Sequence, residues 1–182
     1  MTTRGRNRIR NALIATGLTV ASLGVAVTTA APAVADGSYS GRAYVWGSGV
    51  LGADWDDEGA NNVSTHRVSN VTCLWQFVLQ TDGYLNISDV DGVFGDQTHA
   101  ATVRWQQDRG LTGDGSAGRD TWARAGNRLH DLGVQPDGWR HGYFNGSQSS
   151  LPLRRSSGGN YQFWDADPGV WRSAAYNTRS CR

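Results

Sequence analysis

DGVFGDQTHAATVRWQQDRGLTGDGSAGRDTW, Asp91–Trp122, holds one eight-residue pattern twice: DGVFGDQT at Asp91–Thr98 and DGSAGRDT at Asp114–Thr121. Each copy has Asp-Gly, a second Gly three residues after the first, and Thr three residues beyond that. Asp-Gly and isolated Gly mark backbone that must turn or take positive φ. Both copies stand beside a tryptophan-bearing stretch with helical character. A turn-then-helix unit used twice implies a small domain of two similar halves, with two equivalent loops that can line one groove.

Before this stretch, Val71, Leu74, Trp75, Val78 and Leu79 fall at i, i+3, i+4, i+7 and i+8, the stripe of an amphipathic helix. Asn70 is placed to cap it and Gly83 to take the left-handed position after it. A second helix is predicted from Asp96 to Arg109, with Ala101 and Trp105 facing inward, Gly110 ending it and Leu111 returning to the core. A third runs over Arg119–His130, with Trp122, Ala125 and Leu129 inward. Both repeats set Gly before the helix start and Asp in its first turn, where the dipole favours a negative charge. The segment 70–132 therefore reads as a three-helix domain.

Upstream, 36–69 reads as an irregular leader with one short strand near Arg42–Trp46; it holds the acidic run DWDDEG at Asp54–Gly59, in which the adjacent Asp56, Asp57 and Glu58 read as a solvated patch. Tyr44, Trp46, Val50, Leu51 and Trp55 are its candidate attachments to a core. Downstream, in 137–182, Trp139–Phe144, Ser150–Arg154, Tyr161–Trp164 and Val170–Tyr176 are short aromatic and apolar runs separated by Gly- and Pro-containing turns. They predict an antiparallel β meander too small to fold alone, and so packed on the helices. The fold class is α+β: a three-helix bundle with a C-terminal β appendage.

The stretch from Asn70 to about Leu129 resembles the three-helix, type 1 peptidoglycan-binding domains attached to bacterial cell-wall hydrolases. The matching text is LWQFVLQ at Leu74–Gln80, then Asp91–Leu111, then DGSAGRDTW at Asp114–Trp122. Trp105 stands where the family usually has Phe, and Ala117 where a β-branched residue is common. The resemblance implies non-covalent binding of peptidoglycan in a groove beside the two DG loops. The candidate ligand-binding residues are Asp91, Phe94, Arg104, Gln106, Asp114, Arg119 and Trp122. Within that set Asp91 and Asp114 also suit turn formation, Phe94 and Trp122 the core, and Gln106 the bracing of a loop. Arg104 and Arg119 fit no apolar stripe, so they are the charges best placed to face a ligand.

Arg4, Arg6, Arg8 and Arg10 precede an apolar stretch from Ala12 to about Val27, and Ala33-Val34-Ala35 follows as a cleavage pattern. Residues 1–35 thus read as a secretory signal peptide, giving a secreted, wall-associated protein without a membrane anchor after cleavage. Losing those four Arg leaves a slightly acidic chain with no lysine, which argues against nucleic acid as a partner. The two cysteines, Cys73 and Cys181, read as one disulfide in an exported chain. A loop of that length stabilises by roughly 4–5 kcal/mol in the chain-entropy model.

Nothing in the chain reads as a catalytic centre. His66, His99, His130 and His141 are far apart, no HExxH or GxSxG occurs, and the adjacent acids at 56–58 do not form a pair across a cleft. The one calcium-like stretch, DVDGVFGD at Asp89–Asp96, puts Ile87 at the first ligand position and Thr98 at the twelfth, so both essential carboxylates are missing. No metal, cofactor or catalytic residue is predicted, and a monomer is expected. Eight Trp and six Tyr fit either a small core or flat surfaces for sugars and polymers. The second reading of function is a secreted interaction module or inhibitor that uses the aromatic β segment.

Overall fold

In a computed structural model, Met1 and residues 39–181 are described, so the signal-peptide expectation lies outside the described residues. Three helices form where the apolar stripes run: α1 over Asn70–Thr81, α2 over Asp96–Gln107 and α3 over Arg119–Gly126. The cap of α1 is Ser69, not Asn70: its hydroxyl accepts from the Thr72 N–H at 3.0 Å. Asn70 is the first helical residue, and its side chain instead holds the C-terminal tail. Its carboxamide donates to the Ser173 carbonyl at 2.8 Å and accepts from the Ser180 N–H at 2.7 Å. Gly83 follows α1 with φ +85°, as its position implies.

The third helix is shorter than its spacing predicts. It stops at Gly126, and Leu129–Val134 becomes the first strand, β1, of a sheet. Leu129 keeps its inward place, but as a strand residue. The sheet continues with β2 (Arg140–Asn145), β3 (Ser150–Arg155), β4 (Tyr161–Asp165) and β5 (Val170–Ser173). All neighbours are antiparallel, in the order β1-β2-β3-β4-β5, so the protein is α+β with a C-terminal meander. Strict alternation places Phe144, Leu151, Leu153, Tyr161 and Phe163 inward. Tyr143, Arg154, Gln162 and Trp164 fall on the opposite face.

One hydrophobic cluster runs through all of these parts. At its centre Trp75 of α1 meets Trp105 of α2 at 5.1 Å and Trp122 of α3 at 5.3 Å between ring centroids. Each indole N–H has an acceptor: Thr102 for Trp75, Asp82 for Trp105 and Asn61 for Trp122. Burying a large apolar side chain contributes about 1.5–3 kcal/mol, so this trio is a main source of stability. Cys73 of α1 and Cys181 form a disulfide across 108 residues, next to the Asn70 contacts.

The leader departs most from expectation. Its predicted strand is reduced to single bridges, Tyr44 to Ala175 and Trp46 to Asn160. A short 3-10 turn at Leu51–Ala53 follows. Yet Val45, Leu51 and Trp55 are fully buried, and Trp55 packs on Trp122, Phe144 and Tyr161. The acidic run is a solvated patch only in part: Asp56 is exposed and Asp57 half-buried, but the acids at its two ends are enclosed. Asp54 is buried against the Arg155 guanidinium and the Tyr161 hydroxyl, and Glu58 is wholly enclosed. Buried carboxylates need such partners, and the distant sheet supplies them. No helix among the described residues is long and apolar enough to cross a membrane.

Candidate functional site

The two DG loops are held by two glutamines in the same way. In the first loop, the Gln76 carbonyl oxygen accepts from the N–H groups of Asp91 (3.1 Å) and Gly92 (2.7 Å). Its amide donates to Asp91 Oδ1 at 2.9 Å, the Val93 carbonyl at 3.1 Å and Thr98 Oγ1 at 3.0 Å. In the second, Gln106 accepts from the Gly115 N–H at 2.9 Å and donates to Asp114 Oδ1 (2.8 Å), the Ser116 carbonyl (2.9 Å) and Thr121 Oγ1 (3.0 Å). Asp91 and Asp114 each take an N–H two residues on, from Val93 and Ser116. The glycines after them share φ +72°, a conformation in which a side chain is strained. A Cβ on Gly92 would also lie 2.7 Å from Cys181 Sγ.

Every element of the repeat therefore has a mechanical task. Asp and Gly make the corner, the terminal Thr receives the glutamine amide, and the residue three after Asp enters the core (Phe94 in one loop, Ala117 in the other, both fully buried). Each loop also makes one bridge to the leader, Val93 to Val68 and Ala117 to Asn61. Gly95 and Gly118 then cap α2 and α3 in extended conformation, with Asp96 and Asp120 in the first turns.

What is left for a ligand lies beside the loops, in two hollows. One, of about 300 Å³, is lined by Gly83–Asn86, Asp89, Gln97, Ala100 and Arg104. The other, of about 240 Å³, is lined by Tyr39, Leu111, Thr112 and the second loop with Gln106, Asp114, Arg119, Asp120 and Thr121. No lining residue is common to both, so the predicted residues are divided instead of gathered in a single groove. Arg104 stands at the first hollow, exposed, with one N–H on the Tyr84 carbonyl at 3.1 Å. Arg119 stands at the second, exposed, with Nε donating to the Asp56 carbonyl at 2.8 Å.

Asp114 lines the second hollow, but the oxygen that serves its own loop is committed there. Asp91 is half-buried and lines neither hollow. Phe94 and Trp122 are in the core, because the aromatic cluster needs them there. Gln106 is 2% exposed and works as a brace. Sequence reasoning missed Gln76, its counterpart. The signal was present: Trp75-Gln76 and Trp105-Gln106 are the same dipeptide, one opening each half.

In the first hollow Tyr84 also donates to Asp108 at 2.6 Å and receives an N–H from Arg109 at 3.1 Å. Burial, then the Asp108 carboxylate, pushes its phenol up from the ordinary value, so it stays neutral. The first hollow thus presents the Arg104 guanidinium, the Asn86 and Gln97 carboxamides and the Asp89 carboxylate, and the second the Arg119 guanidinium, hydroxyls and the Asp114 and Asp120 carboxylates, sets that can meet both acceptors and donors of a polar ligand. Among the described residues no three of His, Cys, Asp and Glu come together as a metal site.

Residues 75–124 match the family model described as "Putative peptidoglycan binding domain". The match runs from the first Trp-Gln pair through both braced loops into α3. Comparison with curated proteins and with solved structures gives no significant match.

Proposed function

We propose that the protein is exported and binds cell-wall peptidoglycan non-covalently, without catalysing a reaction, through the surfaces beside its two DG loops. The observation that carries this is the family match over 75–124, with an exposed guanidinium at the hollow beside each loop, Arg104 at one and Arg119 at the other. Wall polymer offers stem-peptide carboxylates, amides and N-acetyl groups, each an acceptor for such a donor. Two small separate hollows favour many weak contacts along a repetitive polymer, so avidity outweighs single-site strength.

The experiment is co-sedimentation of residues 36–182 with purified sacculi. Most of the protein should pellet, and the Arg104→Ala/Arg119→Ala double variant, folded by circular dichroism, should lose at least tenfold in apparent affinity. The single variants then rank the two hollows. A folded wild type left in the supernatant refutes the function. Undiminished binding by the double variant refutes the site.

A further inference from the structure

The eight tryptophans divide evenly. Trp55, Trp75, Trp105 and Trp122 are fully buried, whereas Trp46, Trp139, Trp164 and Trp171 are only half-buried. Three of the latter meet on the sheet face turned away from the core. The Arg154 guanidinium lies between two indoles, its carbon 4.3 Å from the Trp139 ring centroid and 4.5 Å from that of Trp171. Trp164 meets Trp171 edge-on at 5.3 Å, and His141 meets Trp171 at 6.0 Å. These residues come from β2, β3, β4, β5 and the turn before β2, so four neighbouring strands of the sheet fix their positions.

Arg154 is held with its working end free. Its Nε donates to Gln162 Oε1 at 2.8 Å, while its two terminal nitrogens have no hydrogen-bond acceptor among the described residues. A guanidinium clamped between rings and tied at Nε has given up its rotamer freedom in advance, so a ligand acceptor meets a ready-made fork. Beside it, Asp137 receives the His141 Nε2 contact at 2.9 Å. The Asp137 carboxylate acts on the Arg154 guanidinium, so the cluster is not the purely cationic patch that would concentrate a polyanion.

We propose that this sheet face is a second binding surface, a platform of Trp139, Arg154, Gln162, Trp164 and Trp171 for the N-acetylated pyranose backbone of a wall glycan. The chemistry matches part by part. A pyranose has an apolar C–H face, which an indole covers, and a rim of hydroxyls, which planar guanidinium, carboxamide and carboxylate groups meet edge-on. An N-acetyl carbonyl is an acceptor for the free fork of Arg154, and its methyl group an apolar partner for an indole. The platform shares no residue with either hollow beside the DG loops. Only the choice of an N-acetylated sugar rests on the wall-binding reading; the platform itself does not.

The test uses residues 36–182 and the N-acetylglucosamine tetramer, followed by the indole N–H resonances in NMR. The tetramer should shift the resonances of Trp139, Trp164 and Trp171 and leave those of Trp75, Trp105 and Trp122 in place. Arg154→Ala and Trp171→Ala, each checked for folding by its urea midpoint, should weaken the response at least fivefold. The Arg104→Ala/Arg119→Ala variant should respond as wild type, and the glucose tetramer should bind more weakly than the acetylated one. Unmoved platform resonances at millimolar tetramer, or a response unchanged by both platform variants, overturn the proposal. So does a stable complex with a culture-medium protein that Trp171→Ala abolishes while the sugar gives no response, since that reassigns the face to a protein partner. Sacculus binding separates the two readings: sacculi bound with no tetramer response leaves wall binding standing alone, and the reverse leaves the platform standing alone.

Discussion

Glu58, the only glutamate in the chain, makes the burial of the leader measurable. One carboxylate oxygen accepts from the Trp46 N–H at 2.8 Å and the other from the Tyr176 hydroxyl at 2.5 Å, and the side chain has no solvent exposure. Burial pushes its pKa from 4.5 up to about 7; Asp57 and Asp54 add to the rise, while the Trp46 and Tyr176 bonds oppose it. An acid whose folded pKa exceeds its unfolded value binds a proton on folding. Its contribution to stability is therefore greatest below pH 4.5, falls as pH rises, and reaches its minimum above pH 7. The displacement corresponds to a change of about 3 kcal/mol across that window. Asp54 and Asp57 are also raised, mainly by burial, so the wild-type curve alone is a composite. Subtracting the curve of Glu58→Gln, which cannot titrate there, isolates this group. Urea unfolding of both proteins from pH 4 to pH 8 should show wild type losing about 3 kcal/mol relative to the variant. A difference that stays flat across the window would show that Glu58 is not enclosed as described, and the account of the leader would fail with it.

Asp82 joins helices to sheet: it accepts from Trp105 Nε1 at 2.8 Å, Arg109 at 2.6 Å, Arg128 at 2.6 Å and the Ser147 N–H at 2.8 Å. Asp82→Ala leaves two partly buried guanidinium groups without their carboxylate and should cost about 3–5 kcal/mol; a urea-measured loss below about 1 kcal/mol counts against this hub. Gln76→Leu and Gln106→Leu each orphan buried N–H groups, at about 1–3 kcal/mol per group. Hydrogen exchange should show the Gly92 amide losing protection only in the first variant and the Gly115 amide only in the second. Loosening of both loops by either substitution would contradict two independent braces.

The parts of the fold that were legible are those in which short-range periodicity decides the structure. The stripe from Val71 to Leu79, the glycines before α2 and α3, and the aromatic runs that became β2 to β5 all signal through neighbours a few residues apart. The leader gives no such signal. Val45, Leu51, Trp55 and Glu58 are buried at irregular intervals, and the partners that make burial of the acids tolerable lie 118 residues away for Tyr176 and 107 for Tyr161. An acidic run with few local partners reads as solvated because the compensating groups are invisible at that range. The β1 strand was hidden differently: Leu129 continues the helical spacing of Trp122 and Ala125, so its inward position is right for either element. Beyond Gly126 the chain is held by tertiary contacts, the Arg128 side chain bonding Asp82 and the Asn145 carbonyl.

The site was half legible for a related reason. The two DG loops share Asp, Gly, Gly and Thr at the same spacing, but the glutamines that hold them do so at unequal offsets, 15 residues before Asp91 and 8 before Asp114. The longer connection contains the turn at Ile87–Asp89, and that insertion supplies part of the wall of the first hollow. The second hollow has no equivalent insertion and is closed instead by Leu111, Thr112 and Tyr39. Matching glutamine braces thus fix two corners whose glycines share one φ, while the chain between brace and corner decides what a ligand meets. The duplication belongs to the scaffold and not to the surface. Arg104 and Arg119 should accordingly contribute unequally to wall binding, and equal losses from the two single variants would argue for one continuous surface instead.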